Sequence, residues 1–188
     1  MRHDHLFAFE SEFVTTLRCV PMAVRFKLDR VGIKLTLRQW SRLTAADRRE
    51  LLSRPCRSPE EQAAYRERLE ALVQERTGDV AKPLPTPEPP EWKTTDGPPA
   101  AVTAFAEAAG VAPPSREAWR KLARLQRFVL VKLSRDNHDN VNFVPALREF
   151  GLFEGTGREP ARYPKPALVS SDGPARPRPH PRDKEGIA

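Results

Sequence analysis

PMAVRFKLDRVG, residues 21–32, carries the signals of a complete helix within one short stretch. Pro21 suits the first helical position, where the missing N–H of proline costs nothing. Gly32 is a typical residue at the end of a helix, because it adopts the left-handed conformation without strain. Between them, apolar side chains recur at the i, i+4 and i+7 spacing of one helical face, namely Val24, Leu28 and Val31. The stretch therefore predicts a helix with one apolar face.

Start and stop signals of helices recur along the rest of the chain. Thr36 precedes Gln39 at the spacing of a capping box, and Ser58 precedes Glu61 at the same spacing. The segment Phe128–Leu133 is apolar on every side, which fits either a buried helix or a strand, and its leucines favour the helix. The expected fold class is all-α, in the form of a compact helical domain.

The two halves of the chain share a weak repeat around a tryptophan. Four residues of the first half match four of the second at identical mutual spacing: Trp40, Leu43, Arg48 and Leu51 with Trp119, Leu122, Arg127 and Leu130. If the repeat is real, two helical units pack their faces together. Trp40 and Trp119 are then core anchors, although exposed tryptophans could instead stack on bases. Arg48 and Arg127 either bind an anion or pair with an acidic side chain or a helix C-terminus.

Proline divides the chain into segments that can and cannot build a core. The chain has 188 residues and 20 prolines, which are dense in residues 83–99 and 160–181. Proline donates no amide hydrogen bond and fixes its own φ, so these stretches build little regular structure. We expect Trp92 to pin the first of them to the body. The predicted division is a disordered N-terminus at 1–5, a helical domain over 6–153 (units 6–78 and 100–153, proline-rich linker 79–99) and a disordered tail at 154–188.

The chain is basic, with a formal net charge of +7. Most of the excess lies between residues 18 and 54, where acidic residues are few. The basic residues around the strongest helix signal form the candidate partner surface, which consists of Arg18, Arg25, Lys27, Arg30, Lys34 and Arg38. Such a cluster can steer an anionic partner. The simpler alternative is a set of solvated helix faces.

Neither a membrane span nor an export signal is predicted. No run reaches the ~18–20 apolar residues of a membrane helix. The first residues, MRHDH, lack the apolar stretch of a signal peptide. We therefore expect a cytoplasmic protein without membrane contact. The two cysteines, Cys19 and Cys56, fit that compartment as free thiols.

Cys19 and Cys56 are also the candidate reactive thiols. Cys56 is the better candidate, because it precedes a predicted helix whose N-terminus can lower the pKa of a thiol. Buried and inert thiols are the alternative for both. No catalytic, cofactor-binding or metal-binding residue is predicted, because the sequence has no zinc-spaced His/Cys pair, glycine-rich phosphate loop or assignable Ser-His-Asp set.

Several motifs resemble one protein family. They include LRCVPM at 17–22, Trp40 and KLSR at 132–135, and further pieces follow in order over about residues 6–152. Together they resemble the nitrate reductase-associated proteins. The resemblance implies a role in nitrate assimilation. It implies no active-site residues, because no enzymatic mechanism is established for the family.

The resemblance and the basic residues together favour a non-catalytic accessory or regulatory protein that contacts nitrate reductase or its maturation machinery. An alternative is an enzyme or binding protein for an anionic small molecule related to molybdopterin. Its pocket would be lined by Cys19, Cys56, Arg48 and Arg127. A third and less favoured hypothesis is a nucleic-acid-binding regulator that uses the basic residues between 18 and 54. The sequence specifies no oligomeric state.

Overall fold

The computed structural model describes residues 6–11, 16–85, 89–135 and 141–153. The two ends that we predict to be disordered, 1–5 and 154–188, lie outside these residues. Within them the fold is mainly helical, which confirms the predicted fold class. The helices are α1 Met22–Val31, α2 Leu37–Arg42, α3 Ala45–Ser53, α4 Pro59–Thr77, α5 Ala100–Ala108, α6 Arg116–Lys121, α7 Arg124–Leu133 and α8 Phe143–Glu149.

Short elements connect and fasten the helices. They are the 3₁₀ turns Ala8–Glu10 and Glu91–Lys93 and the strands β1 Ile33–Lys34 and β2 Lys82–Pro83. The two strands pair antiparallel, with Ile33 opposite Pro83. This pairing fastens the residues that follow α1 to the beginning of the proline-rich linker.

The ends of α1 and α4 follow the local signals. Ser58 Oγ accepts a hydrogen bond from the backbone N–H of Glu61 over 3.2 Å, so the predicted capping box forms. Gly78 ends α4 with φ 72°, and Gly32 ends α1 with φ 65°. These left-handed conformations favour glycine. Pro21 is the N-cap of α1 rather than its first residue, so the helix begins one position later than predicted.

The apolar segment Phe128–Leu133 belongs to α7 and is helical, the favoured of the two interpretations. Its side chains from Phe128 to Val131 are all buried, as is Leu133. Because nearly every side of this part of α7 is covered, its sequence has no alternation of apolar and polar faces.

Helix α1 lies between two apolar clusters. One cluster contains Val24 of α1 with Trp40 of α2 and further side chains of α3 and α4. The other contains Phe26 of α1 with Trp119 of α6 and Phe128 of α7. Since α1 supplies side chains to both clusters, the two halves of the fold share this helix.

Trp92 fastens the proline-rich linker to the body. Its ring lies edge-on to that of Phe26, with centroids 5.0 Å apart. Its Nε1 donates a hydrogen bond to Oδ2 of Asp29 over 2.8 Å. The other oxygen of Asp29 lies 3.3 Å from Nζ of Lys132 in α7. Helix α1, the linker and α7 therefore meet at one buried carboxylate.

Candidate functional site

Trp40 and Arg48 of the first unit share one backbone acceptor. Trp40 Nε1 donates to the carbonyl oxygen of Leu17 over 2.8 Å, and Arg48 Nη1 donates to the same oxygen over 3.2 Å. Arg48 also donates from Nε to the carbonyl of Trp40 and from Nη2 to that of Ser41. Leu17 has φ 51°, a conformation that is uncommon for a residue other than glycine. These donors stabilise a strained turn immediately before α1.

The second unit has the same arrangement. Trp119 Nε1 donates to the carbonyl oxygen of Thr94 over 3.1 Å, and Arg127 Nη1 donates to that oxygen over 3.3 Å. Arg127 is buried, and burial lowers the pKa of its guanidinium. Its Nε has no hydrogen-bond partner among the described residues.

Both tryptophans are core residues, as predicted, and each is 0% exposed to solvent. Neither can serve as an exposed stacking platform for bases. Arg48 and Arg127 donate to different carbonyls in different halves of the fold. The structure therefore does not bring them into one pocket.

The two cysteines lie in different surroundings. Cys56 is 1% exposed, and burial raises the pKa of its thiol. The positive charges of Arg30 and Lys27 oppose this increase without cancelling it. Reactive thiols have the opposite properties, a lowered pKa and access to solvent. Cys19 is half-buried, and both cysteines are free thiols.

Only some residues of the candidate partner surface are exposed to solvent. Its exposed members are Arg18, Arg25, Lys34 and Arg38. Arg25 Nε donates to the carbonyl of Val20 over 3.1 Å. Arg30 is half-buried, and its Nη2 donates to the carbonyl of Arg57 over 2.6 Å. These contacts fix the two guanidinium groups to the body of the protein.

Lys27 does not belong to that surface, and the prediction for this residue is wrong. Its side chain is 1% exposed and points from α1 toward the end of α3. There Nζ donates to the carbonyl oxygens of Leu51, Leu52 and Arg54 over 3.3, 2.6 and 2.8 Å. The last carbonyls of a helix have no partner within it, so the buried ammonium supplies a donor to these groups. Of the three, the carbonyl of Leu51 also accepts the hydroxyl of Tyr65 over 3.2 Å.

Exposed apolar side chains lie beside some of the exposed basic residues. Leu37 is 61% exposed and Val80 is 78% exposed. The β1–β2 pairing and a 3.2 Å hydrogen bond from Gln39 to Asp79 hold the start of α2 next to the residues that follow α4. We name this region the α2 surface, and it comprises Lys34, Leu37, Arg38, Arg42, Arg76 and Val80. Sequence reasoning missed four of these residues, because no local pattern marks them.

Arginines of the α2 surface converge on a small cavity of about 150 Å³, lined by Arg38, Arg42 and Arg76 together with Gln39, Thr77 and Asp79. Arg76 is held by Asp47, with Nε 2.9 Å from Oδ2 and Nη2 3.3 Å from Oδ1. This contact lowers the pKa of Asp47 to about 2. Arg38 and Arg42 form no ion pair within the described residues. They therefore leave the α2 surface positively charged.

The described residues offer neither a metal cluster nor a membrane helix. No three His, Cys, Asp or Glu side chains among them lie close enough together to hold a metal ion. None of the helices just described is both long and apolar enough to cross a membrane.

Comparison with known proteins identifies a family. No curated protein and no solved structure matches the chain significantly. The model of one family, described as conserved nitrate reductase-associated protein, matches residues 6–150. The matched range extends from the first 3₁₀ turn to the end of α8 and covers most of the 188 residues. The chain therefore belongs to the conserved nitrate reductase-associated protein family.

Proposed function

We propose that this protein is a non-catalytic accessory or regulatory protein of nitrate assimilation. It acts in the cytoplasm by contact with nitrate reductase or with the machinery that matures it. Family membership supports the pathway. The two free thiols are consistent with a reducing compartment.

The α2 surface is the observation that best supports protein contact. It combines two strongly exposed apolar side chains, Leu37 and Val80, with Arg38 and Arg42, which have no acidic partner among the described residues. Arginine and apolar anchors are the usual combination at protein interfaces. The positive charge favours an acidic partner, because complementary charge steers association. The proposed occupant is an acidic segment of the partner that presents an apolar side chain to Leu37 and Val80.

The test uses the full-length chain and purified nitrate reductase from the same host. The double variant Arg38→Glu/Arg42→Glu and the variant Val80→Asp are expected to lose most of the binding seen with the unchanged protein. Matched controls are Arg120→Glu, which changes an exposed residue of α6, and Val141→Asp, which changes a valine that is 50% exposed outside the α2 surface. Both controls should bind normally.

Rising salt should also slow association, because screening limits the reach of charge to about 8 Å at physiological ionic strength. The proposal fails if neither the reductase nor its maturation proteins bind the chain. It also fails if the α2-surface variants and the controls bind equally well.

Contacts in the structure count against the two alternatives as the sequence formulates them. The small-molecule hypothesis places Arg48 and Arg127 in one pocket, but each donates to a separate carbonyl. The nucleic-acid hypothesis uses the basic residues between 18 and 54, but Lys27 is buried, and Arg30 and Arg48 donate to backbone carbonyls.

We further propose that residues 6–78 and 100–153 descend from one duplicated unit, with 79–99 as the linker. In both, a short tryptophan helix precedes a longer helix whose arginine donates to the same carbonyl as the indole. That carbonyl belongs to Leu17 within the first unit and to Thr94 of the linker for the second. A shared scaffold of this kind supports a structural role for both tryptophans.

A further inference from the structure

A cleft of about 490 Å³ opens where the two halves of the fold meet. The end of α1, the side of α4, the 3₁₀ turn of the linker and the start of α7 form its walls. Its polar and aromatic lining comprises Asp29, Arg30, Gln62, Trp92, Lys93 and Arg124. The volume lies within the range of about 300–1,000 Å³ that is usual for small-molecule sites.

The one carboxylate of this lining is already neutralised. Asp29 accepts the indole N–H of Trp92 over 2.8 Å and lies 3.3 Å from the ammonium of Lys132. Lys132 belongs to α7 and is not among the residues that line the cleft. The charge that the cleft presents to a ligand is therefore cationic.

Two guanidinium groups supply this charge, that of Arg30 near the end of α1 and that of Arg124 at the start of α7. The Arg30 guanidinium makes one hydrogen bond, from Nη2 to the carbonyl of Arg57, and lies over the ring of Phe26, 5.6 Å from its centroid. Its remaining N–H donors have no hydrogen-bond partner among the described residues. Glu61 lies near enough to feel the charge of Arg30, but its carboxylate accepts the backbone N–H groups of Arg57 and Ser58. Arg124 is exposed and makes no hydrogen bond or ion pair with any described residue.

The position of Arg124 is unfavourable in the absence of an anion. It is the first residue of α7, where the helix dipole already concentrates positive charge. Its charge also adds to the effect of burial in lowering the pKa of Arg127. The N-cap, Ala123, has no side chain that could accept a hydrogen bond from the first turn. A cationic first residue and an N-cap without an acceptor both depart from the usual preferences of a helix N-terminus. Such departures are typical of functional sites.

We propose that this cleft binds a small anionic molecule, with a phosphate or carboxylate group held between Arg30 and Arg124. Guanidinium groups bind both kinds of oxyanion through paired N–H donors. Gln62 and Lys93 line the remainder of the site and contact the rest of the ligand. The inference does not depend on the proposed function, because the cleft and the α2 surface share none of the residues named for them.

The test is calorimetric titration of the full-length chain, at constant ionic strength, with pyrophosphate, adenosine monophosphate and citrate in separate experiments. The phosphate probes and citrate distinguish the two kinds of anion. Saturable binding of at least one probe is expected. Arg124→Gln should weaken it about tenfold, the effect of losing one charge-assisted hydrogen-bonding partner.

The matched control is Arg120→Gln, which removes the same charge from an exposed residue of α6 outside the cleft. Arg124→Gln should melt at the same temperature as the unchanged protein or higher, since the side chain makes no hydrogen bond or ion pair to the described residues and its charge is unfavourable at the start of α7. It should also bind nitrate reductase normally, so failure here is distinguishable from failure of the α2 surface. The absence of saturable binding of all three probes, or equal affinity of the two variants, would overturn the proposal.

Discussion

Trp92 and Asp29 are hydrogen-bonded over 2.8 Å in the interior, although they are 63 residues apart in the chain. The side chain of Asp29 is 2% exposed and also contacts Lys132. A buried charge is costly unless it is paired and hydrogen-bonded. These two partners therefore make one carboxylate the junction of α1, the proline-rich linker and α7.

Trp92→Phe is expected to lower the free energy of unfolding by about 2 kcal/mol. Phenylalanine keeps most of the aromatic packing against Phe26 but leaves Asp29 without the indole donor, and a buried acceptor that loses its partner costs about 1–3 kcal/mol. Urea denaturation measures the change. The interpretation of Trp92 is wrong if the variant is as stable as a neutral surface variant such as Arg120→Gln, which changes an exposed residue of α6.

Lys27→Met should destabilise the protein by about 2–4 kcal/mol, because three carbonyl oxygens at the end of α3 lose their shared donor. Methionine has a similar length, so the experiment isolates the ammonium group. Lys34→Met is the control, since Lys34 is exposed and its replacement should change stability by less than about 0.5 kcal/mol. Similar effects of the two changes would mean that Lys27 is not the buried partner of α3.

Trp40→Ala and Trp119→Ala should each cost about 3–5 kcal/mol, the usual loss for a large buried aromatic side chain. Similar costs are expected because both indoles are 0% exposed and donate to a backbone carbonyl. Denaturation of the single variants measures this, and acrylamide quenching checks burial. A freely quenched indole, or a large effect at one position only, would count against the duplicated unit.

Acid should remove the contribution of Asp47 to stability. Its pKa is lowered to about 2 from an ordinary value of 3.8, so its contribution is present above pH ~4 and is lost as pH falls through ~2. Arg76, its partner, is 39% exposed, and screening by solvent reduces the expected contribution to about 1–2 kcal/mol.

Asp47→Asn should therefore be less stable than the unchanged protein at pH 7 and should approach equal stability as the pH falls below about 2. Asp96→Asn is the control, because its carboxylate is 89% exposed and lies 3.7 Å from Arg116. Denaturation curves across this pH range measure the difference in stability between each variant and the unchanged protein. A constant difference between Asp47→Asn and the unchanged protein at every pH would contradict the assigned ion pair.

Deletion of the gene in a host that assimilates nitrate should impair growth on nitrate and spare growth on ammonium. Nitrate reductase activity or abundance should fall with it. A Cys56→Ser copy should restore both, because the Cys56 thiol is buried with a raised pKa and has no expected redox role. Normal growth of the deletion strain on nitrate would contradict the proposed role in nitrate assimilation. A stably folded Cys56→Ser protein that fails to rescue would restore the reactive-thiol hypothesis.

The sequence by itself determined where several helices begin and end. Ser58 with Glu61, and the glycines at 32 and 78, act within three or four residues of themselves, so their effects do not depend on the rest of the fold. The spacing around Trp40 and Trp119 likewise predicted two buried anchors, because a large apolar side chain followed by leucine on the same helical face seeks a core.

Only the tertiary structure decided which charged and apolar side chains remain exposed. Lys27 belongs to a basic segment, yet α3 ends against that side of α1 and covers it. Leu37 and Val80 look like core residues, yet no described element covers them. Exposure depends on which distant helix packs over a given face, and a pattern of neighbouring residues does not contain that information. For the same reason, the meeting of Arg30 and Arg124 at one cleft could not be read from the sequence.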